Sequence, residues 1–296
     1  MNDESVSREA VESLAVWPQR FDPKYLIIAL VSAGCAVGGL AFAWSAGSST
    51  GVIGFSGFGA VCLGLAWLAV RQAGFRWIKL SRRVVPCAHP EFGCGVRIGP
   101  ESLALRVLIA TLGACAVYYG SVVVAVLLGQ DSLLPELREV LPNTLFAGVC
   151  GVAMGAIALL LLLFRPSTGL EIYQDVVIRT VGQSRVVRIG SDMTLRWDSI
   201  MDVADEVRLN HVGLWTTREP LIRLVTSGSV PTEGRLGWDT DDYVQLPVSW
   251  MAAEPNTVLA VLRAMVGNNE ERREILSHDP KEVFTPPSLQ VRLRGA

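Results

Sequence analysis

Apolar positions along this chain fall into two regimes. Up to Phe164 they form uninterrupted blocks, and from Pro166 onward they alternate with polar residues or recur at helical spacing. Four blocks, Tyr25 to Ala46, Gly51 to Val70, Val107 to Leu128 and Leu145 to Phe164, contain no Asp, Glu, Lys, Arg or His. Each is close to the roughly 20 residues that a helix needs to cross a bilayer. A segment in hydrocarbon must satisfy its backbone polar groups internally, which a helix does. A soluble core helix would be shorter and would keep a polar face. The pattern predicts a four-helix transmembrane domain over residues 25–164, with spans near 25–46, 51–70, 107–128 and 145–164. An N-terminal segment covers 1–24 and a tail covers 165–296.

Composition agrees with the blocks. Half of the 296 residues are hydrophobic, 18% are charged, and the mean hydropathy is +0.38. That balance excludes a disordered chain and argues against a secreted disulfide scaffold or a nucleic-acid partner. Asp3, Glu4, Glu9 and Glu12 precede the first span, which is also too long for a signal h-region, so it is expected to stay in the protein.

The net charge of −2 is uninformative, but its placement is not. The connection between spans two and three carries Arg71, Arg76, Lys79, Arg82, Arg83, Arg97 and Arg106, whereas that between spans three and four carries only Arg138. The positive-inside rule puts the cationic connection in the cytoplasm, and with an even number of spans both termini follow. Arg20, Lys24 and Arg165 agree. The expected location is the plasma membrane, multi-pass, with both ends cytoplasmic. Around Phe75 and Trp77, the cations Arg71, Arg76, Lys79, Arg82 and Arg83 form a candidate interface patch for anionic lipid headgroups, in addition to setting orientation.

Within the spans, Gly34 and Gly38, Gly151 and Gly155, and the run Ser56, Ala60, Gly64 repeat small residues four apart. Such spacing lets backbones approach closely, inside one bundle or in a homodimer. Membrane-embedded charge of the kind that coupled transporters use is missing from these blocks. Between spans three and four, Leu133, Leu134, Leu137, Val140 and Leu141 suggest a short interfacial helix.

Four of the six cysteines, Cys35, Cys62, Cys115 and Cys150, fall inside spans, so no disulfide framework follows. Cys87, His89 and Cys94 share the cationic connection, but they make three ligands without a CxxC knuckle. This stretch reads as a loop with reduced thiols, and no metal or cofactor is expected.

The tail reads as strands first and a helix last. Leu170, Ile172, Val176 and Ile178 alternate, Gly182-Gln183-Ser184 reads as a turn, and Val187 and Ile189 resume the alternation. Strand-like runs recur from Leu195, over Asp205–Leu209, over Leu221–Thr226 and over Tyr243–Val248. Pro255 then opens a helix whose apolar face is Val258, Leu259, Leu262, Met265 and Val266, stopped by Gly267-Asn268.

This outline of antiparallel strands closed by one helix resembles the pleckstrin-homology superfold, a bent sandwich plugged by a C-terminal helix. Trp197-Asp198-Ser199-Ile200 looks like the W-D-x-I turn of bacterial PH-like domains. Asn269-Glu270-Glu271-Arg272-Arg273-Glu274-Ile275-Leu276 is similar to the N-x-x-x-R-x-x-L ending of bacterial membrane proteins that pair a few spans with such a domain. The resemblance covers about 110 residues and implies a membrane-associated interaction role with no assigned reaction. On this reading the fold class is a membrane α-helical bundle plus an α+β PH-like sandwich, with Trp197, Ile200, Leu259 and Leu262 in its core.

Phosphoinositide capture would need clustered Lys and Arg, but the tail is acidic on balance and places Asp239, Asp241 and Asp242 in one loop. That trio lacks EF-hand spacing and reads as a solvated loop. His211 beside Gly213 reads as a turn residue, and neither it nor His278 sits in a catalytic motif; GxSxG, HExxH and Walker A patterns are missing. The expectation is a non-enzymatic membrane scaffold whose tail docks a protein partner or the chain's own basic loop. The alternative is a passive channel or lipid-handling transporter that the tail regulates. Ser288 to Arg294 alternates like a further edge strand or docking arm.

Overall fold

The computed structural model describes residues 16–17, 21–45, 49–76, 79–129, 141–163, 168–181, 191–212, 215–286 and 288. The chain forms two compact units. One comprises Arg20–Arg76 and Ser102–Arg165; the other comprises Met1–Gln19, Trp77–Glu101 and Pro166–Ala296.

The first unit holds α1 (Pro23–Ser45), α2 (Ser49–Gln72), α3 (Leu103–Leu127) and α4 (Leu141–Leu163). All four are long and apolar enough to cross a membrane. Each packs on the next in sequence, and small residues make the close approaches. A Cβ on Gly64 of α2 would overlap Thr111 of α3, and one on Gly151 of α4 would sit 3.1 Å from the Cβ of Tyr119. Gly34 and Gly38 differ, since nothing lies within 4 Å of a Cβ built there. The hydroxyls of Thr111 and Ser121 donate to the carbonyls of Val107 and Tyr118, keeping polar hydrogens inside their own helix. The stretch read as an interfacial helix lies outside the described residues up to Val140, and Leu141 begins α4.

The second unit is built on two antiparallel sheets. In order of hydrogen bonding the first is β1 (Val84–His89), β2 (Gly93–Ile98), β3 (Thr168–Tyr173), β4 (Val176–Val181) and β5 (Met193–Arg196). The second is β6 (Ile200–Val212), β7 (Trp215–Thr226) and β8 (Tyr243–Leu246). A single-turn 3₁₀ helix at Trp197–Ser199 carries the chain from one sheet to the other. Helices α5 (Pro255–Met265), α6 (Asn269–Ser277) and α7 (Pro280–Phe284) end it.

Two of these strands correct the reading of the cationic connection as a loop. Val84, Val96 and Ile98 of β1 and β2 are buried in the same core as Leu170, Ile172 and Val177 of the tail. Pro86, Gly93 and Gly95 weaken the strand signal in the sequence, and burial against β3 overrides it. Pro86 is tolerated because β1 is an edge strand. The core takes residues from both sheets and from α5, and contains Trp197, Ile200, Leu259 and Leu262 together. Val16 and Trp17, which precede α1, pack against it as well.

α5 starts where Glu254 accepts the Thr257 backbone N–H at 2.6 Å, with Pro255 in the first turn. α6 is capped by Asn268, whose side-chain oxygen accepts the Glu270 and Glu271 amides. Asn268 caps, Arg272 is buried, and Ile275 and Leu276 both pack on the core. The Arg272 guanidinium lies 5.9 Å from the Trp197 ring centroid, so α6 meets the 3₁₀ turn between the two sheets. The turn at Gly182-Gln183-Ser184 with Val187 and Ile189, and the chain from Leu289, lie outside the described residues.

Candidate functional site

The junction between β2 and β3 concentrates unusual chemistry, because it joins segments about 70 residues apart through a backbone ladder. Gly95 pairs with Tyr173, Val96 with Ile172, Arg97 with Glu171 and Ile98 with Leu170. Strand alternation puts Val96, Ile98, Leu170 and Ile172 on the core face, and Gly95, Arg97, Glu171 and Tyr173 on the other.

On that outer face the Arg97 Nε donates to Glu171 Oε1 at 2.7 Å, and the Tyr173 hydroxyl donates to Glu171 Oε2 at 2.7 Å. The Cys87 thiol donates to the Tyr173 hydroxyl oxygen at 3.4 Å. Phe92 and His89 stack at 4.7 Å, and both rings approach Tyr173. The result is a chain of polar contacts from β1 through β3 to β2. A Cβ at Gly95 would fall 2.4 Å from the Ile172 carbonyl oxygen and 2.5 Å from the Tyr173 ring, so only glycine lets that ring lie across β2.

Burial raises the Cys87 thiol above its ordinary range, with the Glu171 charge adding to the shift and the Tyr173 hydrogen bond opposing it. Burial also raises the Tyr173 phenol, and its contacts with Cys87 and Glu171 raise it further. Both groups keep their protons at neutral pH, which suits a lock better than a nucleophile or base. Cys87 opposes Gly95 while Ala88 opposes Cys94, so the two thiols emerge on opposite faces of the hairpin. Among the described residues no three His, Cys, Asp or Glu side chains are grouped to hold a metal.

The acidic loop is not uniformly solvated. The Asp239 side chain is buried and forms a two-bond pair with Arg179 of β4, at 2.8 and 2.6 Å. Asp239 also accepts the amides of Leu236 and Gln245, while Arg179 donates to the carbonyls of Gly234 and Gln245. Asp241 pairs with Arg235 but stays exposed. The loop is thus fastened to the first sheet by one charge and open to water at its neighbour. Gly234 allows the approach, with φ +77 and a Cβ position within 3.0 Å of the Ser191 and Asp192 carbonyls.

The basic patch is divided. Arg71 and Arg76 belong to the helical unit, and Arg71 lies over the Trp67 ring at 4.8 Å. Lys79, Arg82 and Arg83 belong to the sheet unit, where the Arg83 Nη1 donates to the Pro100 carbonyl at 2.6 Å and ties off the base of the hairpin. His211 lies in β6 opposite Thr216, a strand position in place of the expected turn. Glu171, Tyr173, Arg179 and Asp239 were not readable as partners. The alternation of polar and apolar residues along β3 marked Glu171 and Tyr173 as one face, but nothing local pointed to β2.

No family model, no curated protein and no solved structure matches this chain.

Proposed function

We propose that this chain is a multi-span membrane scaffold whose cytoplasmic PH-like domain docks a protein partner. The observation that carries the reading is the hairpin between α2 and α3, which supplies β1 and β2 to the sheet begun by β3 after α4. A domain laced from segments before α1, between α2 and α3, and after α4 needs all three on one side of a membrane. That requirement supports an even number of crossings with both ends together, and the cation-rich connection points to the cytoplasm. Two antiparallel sheets, a shared core and a closing helix support the PH-like assignment.

The test is in-cell crosslinking with mass spectrometry, comparing the full chain with one ending at Arg165. A protein crosslinked only to the full chain supports docking by the domain. The same species with both chains, or lipid alone, overturns it. Orientation is read separately from Cys94, an exposed thiol. It should resist a membrane-impermeant maleimide on intact cells and react after permeabilisation.

A further inference from the structure

We propose that the β6–β7 ribbon is a membrane-dipping finger that seats its exposed apolar residues among anionic lipid headgroups. β6 and β7 pair from Ile200 opposite Thr226 to Val212 opposite Trp215, but β8 covers only Ile222–Val225 of β7. Beyond Ile222 the two strands continue as a ribbon with no third strand beside them, and past Glu219 they outrun the turn at Val248–Trp250 as well.

One row of β6 starts in the core and outruns it. Val203 is a core residue, and Asp205 is held by Arg263 of α5 at 2.7 Å. The next two positions in that row, Val207 and Leu209, are 44% and 52% exposed. Apolar side chains on an uncovered ribbon are the arrangement that an interfacial environment stabilises and water does not.

The place of the ribbon within the sheet unit points to the occupant. β8 runs antiparallel to β7 and ends at Leu246, level with Ile222. The chain then turns through Ser249, whose hydroxyl donates to Glu219 on the ribbon at 2.7 Å. The next carbonyl, of Trp250, accepts the Glu101 amide at 2.6 Å, two residues before α3 begins. Thr168 and Gly169, where the chain returns from α4, lie beside this point, since a Cβ on Gly169 would be 3.0 Å from the Ile98 carbonyl oxygen. Within the sheet unit the ribbon therefore passes Glu101 and Thr168, the ends of the segments that join this unit to α3 and α4. It then runs on from Glu219 to Trp215, a further ~13 Å at the rise of a strand.

Charge fits the same occupant. From Val207 to Arg218 the chain contains Arg208, His211 and Arg218 and no Asp or Glu, although the tail as a whole is acidic on balance. Arg218 is exposed and stands opposite Leu209, so a cation flanks the apolar row as at a headgroup interface.

This inference rests on the membrane reading above, and the test separates the two. An environment-sensitive fluorescent amino acid is placed singly at Leu209, at Gly228 and at Ile28 of α1 in the full chain. The protein is reconstituted in nanodiscs of phosphatidylcholine with phosphatidylglycerol. Leu209 of β6 is exposed opposite Arg218 on the outer part of the ribbon, Gly228 is exposed just past the other end of β7, and Ile28 is exposed on α1. The expected result is at least about twofold quenching of position 209 by lipids spin-labelled near the headgroup, with little at 228, and protection of 209 from aqueous iodide. Iodide quenching at 209 equal to that at 228 overturns the proposal, because the finger is then in water. Protection of 209 from both quenchers also overturns it, in favour of a protein contact. Failure of position 28 to be quenched by lipids labelled deep in the chain removes the membrane reading itself.

Discussion

Replacing Asp239 with Ala tests whether the acidic loop is clamped to the sheet by a buried charge pair. Arg179 and Asp239 are 2% and 0% exposed. The substitution removes two charge-assisted bonds to the guanidinium and leaves the Leu236 and Gln245 amides without their acceptor. Removing one partner of such a pair leaves an uncompensated buried charge and costs about 3–5 kcal/mol. At 1.4 kcal/mol per tenfold, that raises the population of the opened sheet unit by about 150- to 4,000-fold. Asp241→Ala is the internal control. Its partner is also an arginine two to three ångströms away, but Asp241 is 80% exposed, and surface pairs contribute about 0–1 kcal/mol. The assay is urea-dependent thiol labelling of the full chain in detergent, with Cys87 and Cys94 quantified by peptide mass spectrometry. Cys87 is half-buried in the sheet unit, so its protection reports the opening of that unit whatever the helices do, and the exposed Cys94 serves as the unprotected reference. The double variant Arg179→Met/Asp239→Asn removes both charges and keeps an acceptor for one of the two amides, so it should recover part of the loss. If Asp239→Ala costs no more than Asp241→Ala, the pair is not the clamp and the argument fails.

Three further outcomes follow from the β2–β3 junction and the closing helix. Gly95→Ala drives a methyl into the Ile172 carbonyl and the Tyr173 ring, so it should destabilise the sheet unit by about 1–3 kcal/mol and speed labelling of Cys87. Tyr173 is protonated in the folded state by a raised pKa, so its contribution is complete below the ordinary tyrosine value and is lost as pH rises past it. The wild type should therefore lose stability steadily above about pH 10, and Tyr173→Phe should flatten that slope in a pH series of urea titrations. Asn268→Ala deletes the α6 cap and should cost about 1 kcal/mol in the same assay, whereas Asn269→Ala should change it by less than half as much.

The helical half was legible because its signal is local and one-dimensional. An uncharged apolar block long enough to span needs no knowledge of its neighbours, and the four helices fall within a few residues of the expected bounds. Helix α5 was legible for the same reason, since the spacing of Val258, Leu259, Leu262 and Met265 fixes its buried face. β1 and β2 were not legible. Their core face is only Val84, Val96 and Ile98, interrupted by Pro86 and two glycines, and what makes them strands is an edge offered by β3 on the far side of two helices. Trp197 and Arg272 show a middle case. Both lay in segments marked by resemblance, but which arginine would reach the ring depended on the phase of α6, and that phase is set by the Asn268 cap.

The lacing also orders the assembly of the molecule. β1 and β2 precede α3 and α4, but their sheet partner β3 follows them, so the hairpin has no ladder on its second side until both helices have been made. A two-stranded hairpin is at best marginal alone in water, and pairing across a connection this long carries the entropy of closing it. The interruption of α3 and α4 turns that delay into a condition: β2 and β3 can meet only if the two helices return the chain to the side it left. A chain in which either helix failed to cross a membrane would leave Val84, Val96 and Ile98 on one side and Leu170 and Ile172 on the other, each apolar face uncovered. If α3 and α4 cross a membrane, the sheet couples completion of the domain to correct threading of the helices. Glu171 and Tyr173, which bind Arg97 and Cys87 across the junction, fasten it once the strands have met.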